Sequence, residues 1–102
     1  MHLHTVFFWI SEDVDNSGRR AFETGLDLLT REPHVLDRRV GKPAATKRPV
    51  IDSSYSYAII LRFENLAAHN AYQASDEHQI FLDTCSHMWS RVQVYDVEEM
   101  AA

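Results

Sequence analysis

With a single cysteine, Cys85, the 102-residue chain cannot form an internal disulfide, and a sequence without a disulfide framework fits a reducing compartment. No apolar run approaches the ~20 residues that a transmembrane helix needs, which excludes a helical membrane span. The N-terminal Met1-His2-Leu3-His4 has no charged region followed by a long apolar stretch. No signal peptide is therefore expected, and the reading is a cytoplasmic protein. Positive charge is also short: 10 Lys and Arg stand against 15 Asp and Glu, a formal net charge of -5. That balance argues against general nucleic-acid binding, which needs a basic face to neutralise phosphates. Internal repeats, low-complexity tracts and linkers are absent as well. What is present, 45% hydrophobic and 25% charged residues, suffices for one core, so residues 1–102 are read as one domain.

The segment Leu3 to Ile10 is rich in β-branched and aromatic residues and too short for a typical helix, so it is expected to be a strand. Alternation places His4, Val6, Phe8 and Ile10 on one face and Leu3, Thr5, Phe7 and Trp9 on the other. Both faces are mostly apolar and both need a cover. A helix capped by Asn16 or Ser17 is expected to run to about Arg31, with Phe22, Leu26 and Leu29 at helical spacing and Pro33 beyond its end. Gly25 weakens that helix but allows close packing. Val35 to Gly41 reads as a more polar second strand, Lys42 to Ser54 as a loop carrying Lys47 and Arg48, and Tyr55 to Glu64 as a third strand. That third strand places Tyr55, Tyr57, Ile59, Leu61 and Phe63 on one face. A short helix from about Asn65 to Gln73 leads into a second helix over Asp76 to Cys85, and Arg91 to Val97 closes the chain as strand four.

The order strand, helix, strand, strand, helix, strand is the ferredoxin-like α+β arrangement. Its helices cover one sheet face, and nothing remains in the chain to cover Phe7 and Trp9 on the other. The expected cover is a second copy, and the expected partner state a homodimer.

The candidate chemistry gathers around His78. In the helix from Asp76, positions 78, 81, 82, 85 and 89 fall in one stripe, so His78 is expected to face inward with Phe81, Leu82, Cys85 and Trp89, while Asp83 and His87 face solvent. A buried imidazole needs a hydrogen-bond partner. Asp96, on the same strand-four face as Val92 and Val94, is the candidate, because a carboxylate holds an imidazole in one tautomer. His4, on the face of Val6 and Phe8, can approach the same site. Tyr72 can donate a hydrogen bond to a carbonyl oxygen while a histidine removes a proton from the adjacent carbon. Against these roles stand plainer ones: a buried polar pair that fixes packing, and an aromatic packing residue. His2 and His4 form a His-x-His pair that could ligate a metal with His78 or Asp96. The terminal His2 is expected to fray and no companion motif supports the pair, so no metal is expected. Haem is not expected either, since no attachment motif exists. Lys47 and Arg48 read as a wet loop that would draw an anionic substrate only if it overhung a cavity mouth.

The residues His4-Thr5-Val6-Phe7-Phe8, Pro33-His34-Val35, Gly41, Ser54-Tyr55-Ser56-Tyr57-Ala58, Phe63-Glu64, Tyr72, His78-Gln79-Ile80-Phe81, Trp89 and Val94-Tyr95-Asp96 follow the order and spacing of a known family. Over essentially its full length the chain resembles the stress-responsive A/B barrel (Dabb) family. The resemblance implies a dimeric α+β barrel in which two four-stranded sheets pack face to face with helices outside. It is similar in particular to a plant polyketide cyclase within that family, whose functional tyrosine, histidine, aspartate and second histidine match Tyr72, His78, Asp96 and His4. This implies a cofactor-free aldol-type cyclisation or related proton transfer, with His78 as base, Asp96 orienting it, Tyr72 polarising the carbonyl, and His4, Val6, Phe8, Phe81, Trp89 and Val94 lining the pocket. The chain departs from the pattern at Ser75-Asp76, where relatives often carry His-Pro, and at Glu32, where an apolar residue is common.

Three functional readings follow. The first is a small-molecule pocket between sheet and helices, taking an aromatic or β-keto compound and carrying out proton transfer. The second is a non-catalytic stress-associated binding or structural protein, and the third a cofactor-free monooxygenase of the same fold. An enclosed space of roughly a few hundred Å³ with His78 and Tyr72 at its wall discriminates the first from the second.

Overall fold

The computed structural model describes residues 1–101. In chain order it contains β1 (His2–Ile10), α1 (Asn16–Leu29), β2 (Asp37–Gly41), β3 (Tyr57–Phe63), α2 (Leu66–Gln73), α3 (Asp76–Cys85), a 3-10 turn (Ser86–Met88) and β4 (Trp89–Glu98). The strands form an antiparallel sheet in the order β2-β3-β1-β4, which is the ferredoxin-like α+β fold. β1 is central, and its burial alternates strictly, His2, His4, Val6, Phe8 and Ile10 being buried and the residues between them half-buried.

The buried row meets the helices. On α1, Phe22, Leu26 and Leu29 recur at helical spacing and are all buried, each contributing roughly 1.5–3 kcal/mol relative to exposure. Phe8 packs against Phe22, Phe81 and Trp89 at centroid separations of 5.3, 5.8 and 5.3 Å. Tyr57, Ile59, Leu61 and Phe63 of β3 complete this core, and Cys85 lies within it as a small apolar residue. The helix starts are set by side chains. Asp15, rather than Asn16 or Ser17, caps α1 by accepting from the Gly18 N–H at 2.8 Å, Asn65 caps α2, and Ser75 caps α3 through the His78 N–H. Each satisfies a donor that the first helical turn leaves free.

Several element boundaries differ from the sequence reading. β3 begins at Tyr57, not Tyr55, because the Ser56 hydroxyl takes the Ile10 N–H at 2.9 Å where another rung of the ladder would fall. Tyr55 therefore does not share the face of Tyr57. It packs against Phe7 at 4.9 Å and Trp9 at 6.5 Å on the opposite side of the sheet. β4 starts at Trp89, so Trp89 is not a continuation of the α3 stripe; the helix ends at Cys85 and the 3-10 turn redirects the chain. His2 is not frayed. It pairs with Phe63 and Glu98 within the sheet and is buried.

The second sheet face carries Leu3, Phe7, Trp9, Ile60, Tyr95 and Val97, with Ile60, Tyr95 and Val97 exposed. No element among the described residues covers it. No helix of the described residues is long and apolar enough to cross a membrane.

Candidate active site

β4 is an edge strand, and the helices that roof β1 and β3 leave its inner row partly open, with Val92 and Val94 about two-fifths exposed. The result is a cavity of about 210 Å³ between the sheet and α3. Val6 and Phe8 of β1, Val94 of β4, and Phe81 with Trp89 form its apolar wall, and His4, Tyr72, Gln73 and His78 supply the polar groups. Lys47 and Arg48 do not line it. A larger groove of about 320 Å³ lies between α1 and β2, but its charges are already engaged with one another. Arg38 bonds Asp27 at 3.2 Å, and Tyr57 donates to Glu23 at 2.6 Å.

α3 positions His78 one turn before Phe81, so its imidazole enters the cavity while half-buried. The ring meets the Tyr72 ring edge-on at 5.4 Å, and its nitrogens have no hydrogen-bond partner among the described residues. Burial, with a smaller contribution from nearby His69, lowers the His78 pKa and favours the neutral imidazole. Tyr72 is buried on α2 between His4, whose ring lies at 5.8 Å, and His78. Burial, and secondarily the Glu32 carboxylate, pushes its phenol well above the usual range and keeps the hydroxyl protonated. Glu32 is itself buried and accepts from His34.

Asp96 does not partner His78. The antiparallel register of β1 and β4 sets Asp96 directly opposite His4, and one carboxylate oxygen takes the His4 Nδ1–H at 2.6 Å and lies 3.0 Å from His2 Nε2. These histidines hold the Asp96 carboxyl below its ordinary value against the opposing effect of burial. Desolvation lowers the His4 pKa in spite of the Asp96 bond. The cavity wall thus holds two imidazoles in different states: His4, oriented by a carboxylate, and His78, free.

Two polar residues of this region were missed by sequence reasoning. His69 stands three residues before Tyr72 and four before Gln73, spacings that make it a helical neighbour of both, and that was the available signal. The Gln73 amide lies 3.4 Å from both His4 Nε2 and His69 Nε2.

Known structures share this architecture. At3g17210 of Arabidopsis thaliana superposes with a TM-score of 0.82 at 16% identity, covering 100% of this chain and 98% of that one. A Dabb family protein with a ferredoxin-like fold from Mesorhizobium loti gives a TM-score of 0.78 at 19% identity, over 98% and 97% of the two chains. A dimeric ferredoxin-like protein of unknown function from Thermobifida fusca gives 0.76 at 16% identity, over 94% and 88%. No curated protein sequence matches significantly. At these identities the superpositions show the fold; the sequence profile of the stress responsive A/B barrel domain matches residues 3–99, and the chain belongs to that family.

Proposed function

We propose that the protein is a homodimeric small-molecule enzyme that carries out proton transfer on an aromatic or β-keto compound. The observation that carries this reading is the meeting of the Tyr72 ring and the unpartnered His78 imidazole at the wall of one apolar cavity. At about 210 Å³ the space lies somewhat below the ~300 Å³ lower end of ligand pockets, which favours a single ring over a fused system. A neutral His78 nitrogen takes a proton from the carbon next to a carbonyl. The electron pair moves onto the carbonyl oxygen, where the Tyr72 hydroxyl donates a hydrogen bond to the forming enolate. In an aldol-type cyclisation the enolate carbon then bonds to a second carbonyl carbon of the same molecule, and the histidinium returns its proton to the resulting alkoxide. His4, fixed by Asp96, shapes the wall beside Tyr72. The uncovered apolar sheet face, with Phe7 and Trp9, supports pairing of two copies back to back, and the Thermobifida fusca neighbour, described as dimeric, is consistent with it.

The test is exchange chemistry. A panel of β-keto acids and phenolic ketones is incubated with the protein in D₂O, and loss of the C–H signal next to the carbonyl is followed by proton NMR. At least one compound is expected to exchange, and His78→Ala is expected to slow that exchange about 10²–10⁴-fold while binding persists. Equal exchange by the variant, or no compound entering the cavity, overturns the reading in favour of a non-catalytic binding protein.

A further inference from the structure

On the far side of His4 from the cavity, four potential metal donors converge from three separate elements. His2 and His4 come from β1, His69 from α2 and Asp96 from β4, and one donor atom from each lies within 4.8 Å of all the others. We propose that His2, His4, His69 and Asp96 form a zinc site that ties β1, α2 and β4 together at this end of the sheet.

The distances suit the ion. Tetrahedral zinc with bonds of about 2.0–2.1 Å sets its donors about 3.3 Å apart. Four of the six donor separations are 3.0 Å (His2 Nε2 to Asp96 Oδ1), 2.6 Å (His4 Nδ1 to Asp96 Oδ1), 3.5 Å (His69 Nε2 to Asp96 Oδ1) and 3.2 Å (His69 Nε2 to His4 Nδ1). Adjustments of under an ångström in these four bring them to that spacing. Three imidazoles and one carboxylate without a thiolate form a donor set for zinc or another imidazole-seeking divalent ion, not for calcium or magnesium.

The surroundings favour metal over a purely hydrogen-bonded cluster. Asn70 Oδ1 lies 3.1 Å from His69 Nδ1, where it accepts that N–H and leaves the Nε2 lone pair facing the others. This is how metal-binding histidines are oriented by neighbours. His69 Nε2 then confronts the Asp96 oxygen at 3.5 Å, two acceptors face to face, with the Gln73 amide at 3.4 Å and the His4 Nδ1–H at 3.2 Å, the latter already committed to Asp96, as the competing donors. A cation between them removes the conflict. The three histidine side chains are 11%, 4% and 9% exposed, whereas the Asp96 side chain is 42% exposed. Asp96 opens onto a surface groove of about 390 Å³ that also carries Glu64 and Glu98. Acidic groups at its mouth raise the local concentration of cations and give the ion a way in.

The experiment uses untagged full-length protein stripped with chelator and titrated with Zn²⁺ by calorimetry, alongside cobalt substitution read by visible absorption. One equivalent per chain, a tetrahedral cobalt band and a higher melting temperature with zinc are expected. Asp96→Asn and His69→Gln are each expected to weaken binding at least about 100-fold, and Asn70→Ala, a change at an exposed position, by about 10–100-fold. His78→Ala is expected to bind zinc as the wild type does, so failure of the catalytic reading and failure of this one are separable. Substoichiometric uptake overturns the proposal. So does full uptake that survives all three cluster changes, which would place the ion on exposed histidines such as His34 and His87.

Discussion

Gly25→Ala tests whether α3, the helix that carries His78, is held at its present height by one close approach. A Cβ built on Gly25 would lie 2.5 Å from Cys85 Sγ and 3.6 and 3.7 Å from Phe81 ring carbons. The ring contacts are ordinary, but the sulfur contact is roughly 1 Å inside the optimum for non-bonded atoms. Two effects oppose. Alanine is about 1 kcal/mol better than glycine in a helix interior, while overpacking a tight core costs about 1–3 kcal/mol. Cys85 is buried on a short side chain, so the clash is expected to outweigh the propensity gain, with a net loss of up to about 2 kcal/mol. That corresponds to a fall in Tm of roughly 4–8 °C per kcal/mol. In a Cys85→Ala background the sulfur is gone, and Gly25→Ala should change sign and stabilise by up to about 1 kcal/mol. Urea unfolding of the four proteins, metal-free, measures the cycle, with an expected coupling equal to the clash cost, about 1–3 kcal/mol. A stabilising Gly25→Ala in wild type, or additivity within about 0.5 kcal/mol, would refute the argument that these helices are at contact limit.

Further outcomes follow from the site and the open sheet face. Because His78 has its pKa lowered below 6.5, the unfolded chain binds its proton more readily than the folded one. Its contribution to stability is therefore complete above pH 6.5 and declines as pH falls through that value; Tm of His78→Gln should lose that part of the acid dependence. The same shift places the acid limb of the exchange rate below pH 6.5, and an inflection at or above it would show that His78 is not the base. Trp9→Asp puts a carboxylate on the apolar face beside Phe7 and Tyr55 and removes the Arg91 guanidinium's seat over the indole at 4.2 Å. Sedimentation equilibrium at micromolar concentration should show a wild-type dimer and a variant displaced toward monomer, and a monomeric wild type would remove the dimer from the proposal.

Much of the fold was legible because the signals are local. Two-residue alternation in β1, the 22-26-29 spacing of α1 and the order of elements identify the split βαβ arrangement before any contact is known. Boundaries fared less well where a side chain replaced a backbone rung, as Ser56 does at the start of β3, turning Tyr55 to the other face. In the region of the candidate site, the types and rough faces of His4, Tyr72, His78 and Asp96 could be read, but not their pairing. The Asp96 partner depends on which strand lies beside β4 and in what register, and a slip of one residue would send the carboxylate to the opposite face.

The amino-acid sequence alone determined the ferredoxin-like succession of strands and helices, the apolar doubling of β1 and the family pattern, since each is written in periodicity and spacing along a continuous segment. Only the tertiary structure decided that Asp96 holds His4 and His2 rather than His78, that His78 stands free against Tyr72, and that His69 joins a four-donor cluster. Those relations span between 6 and 94 positions along the chain, and they arise from strand order, register and the seating of α2 and α3 on the sheet. Nothing in the local pattern of any one segment encodes them.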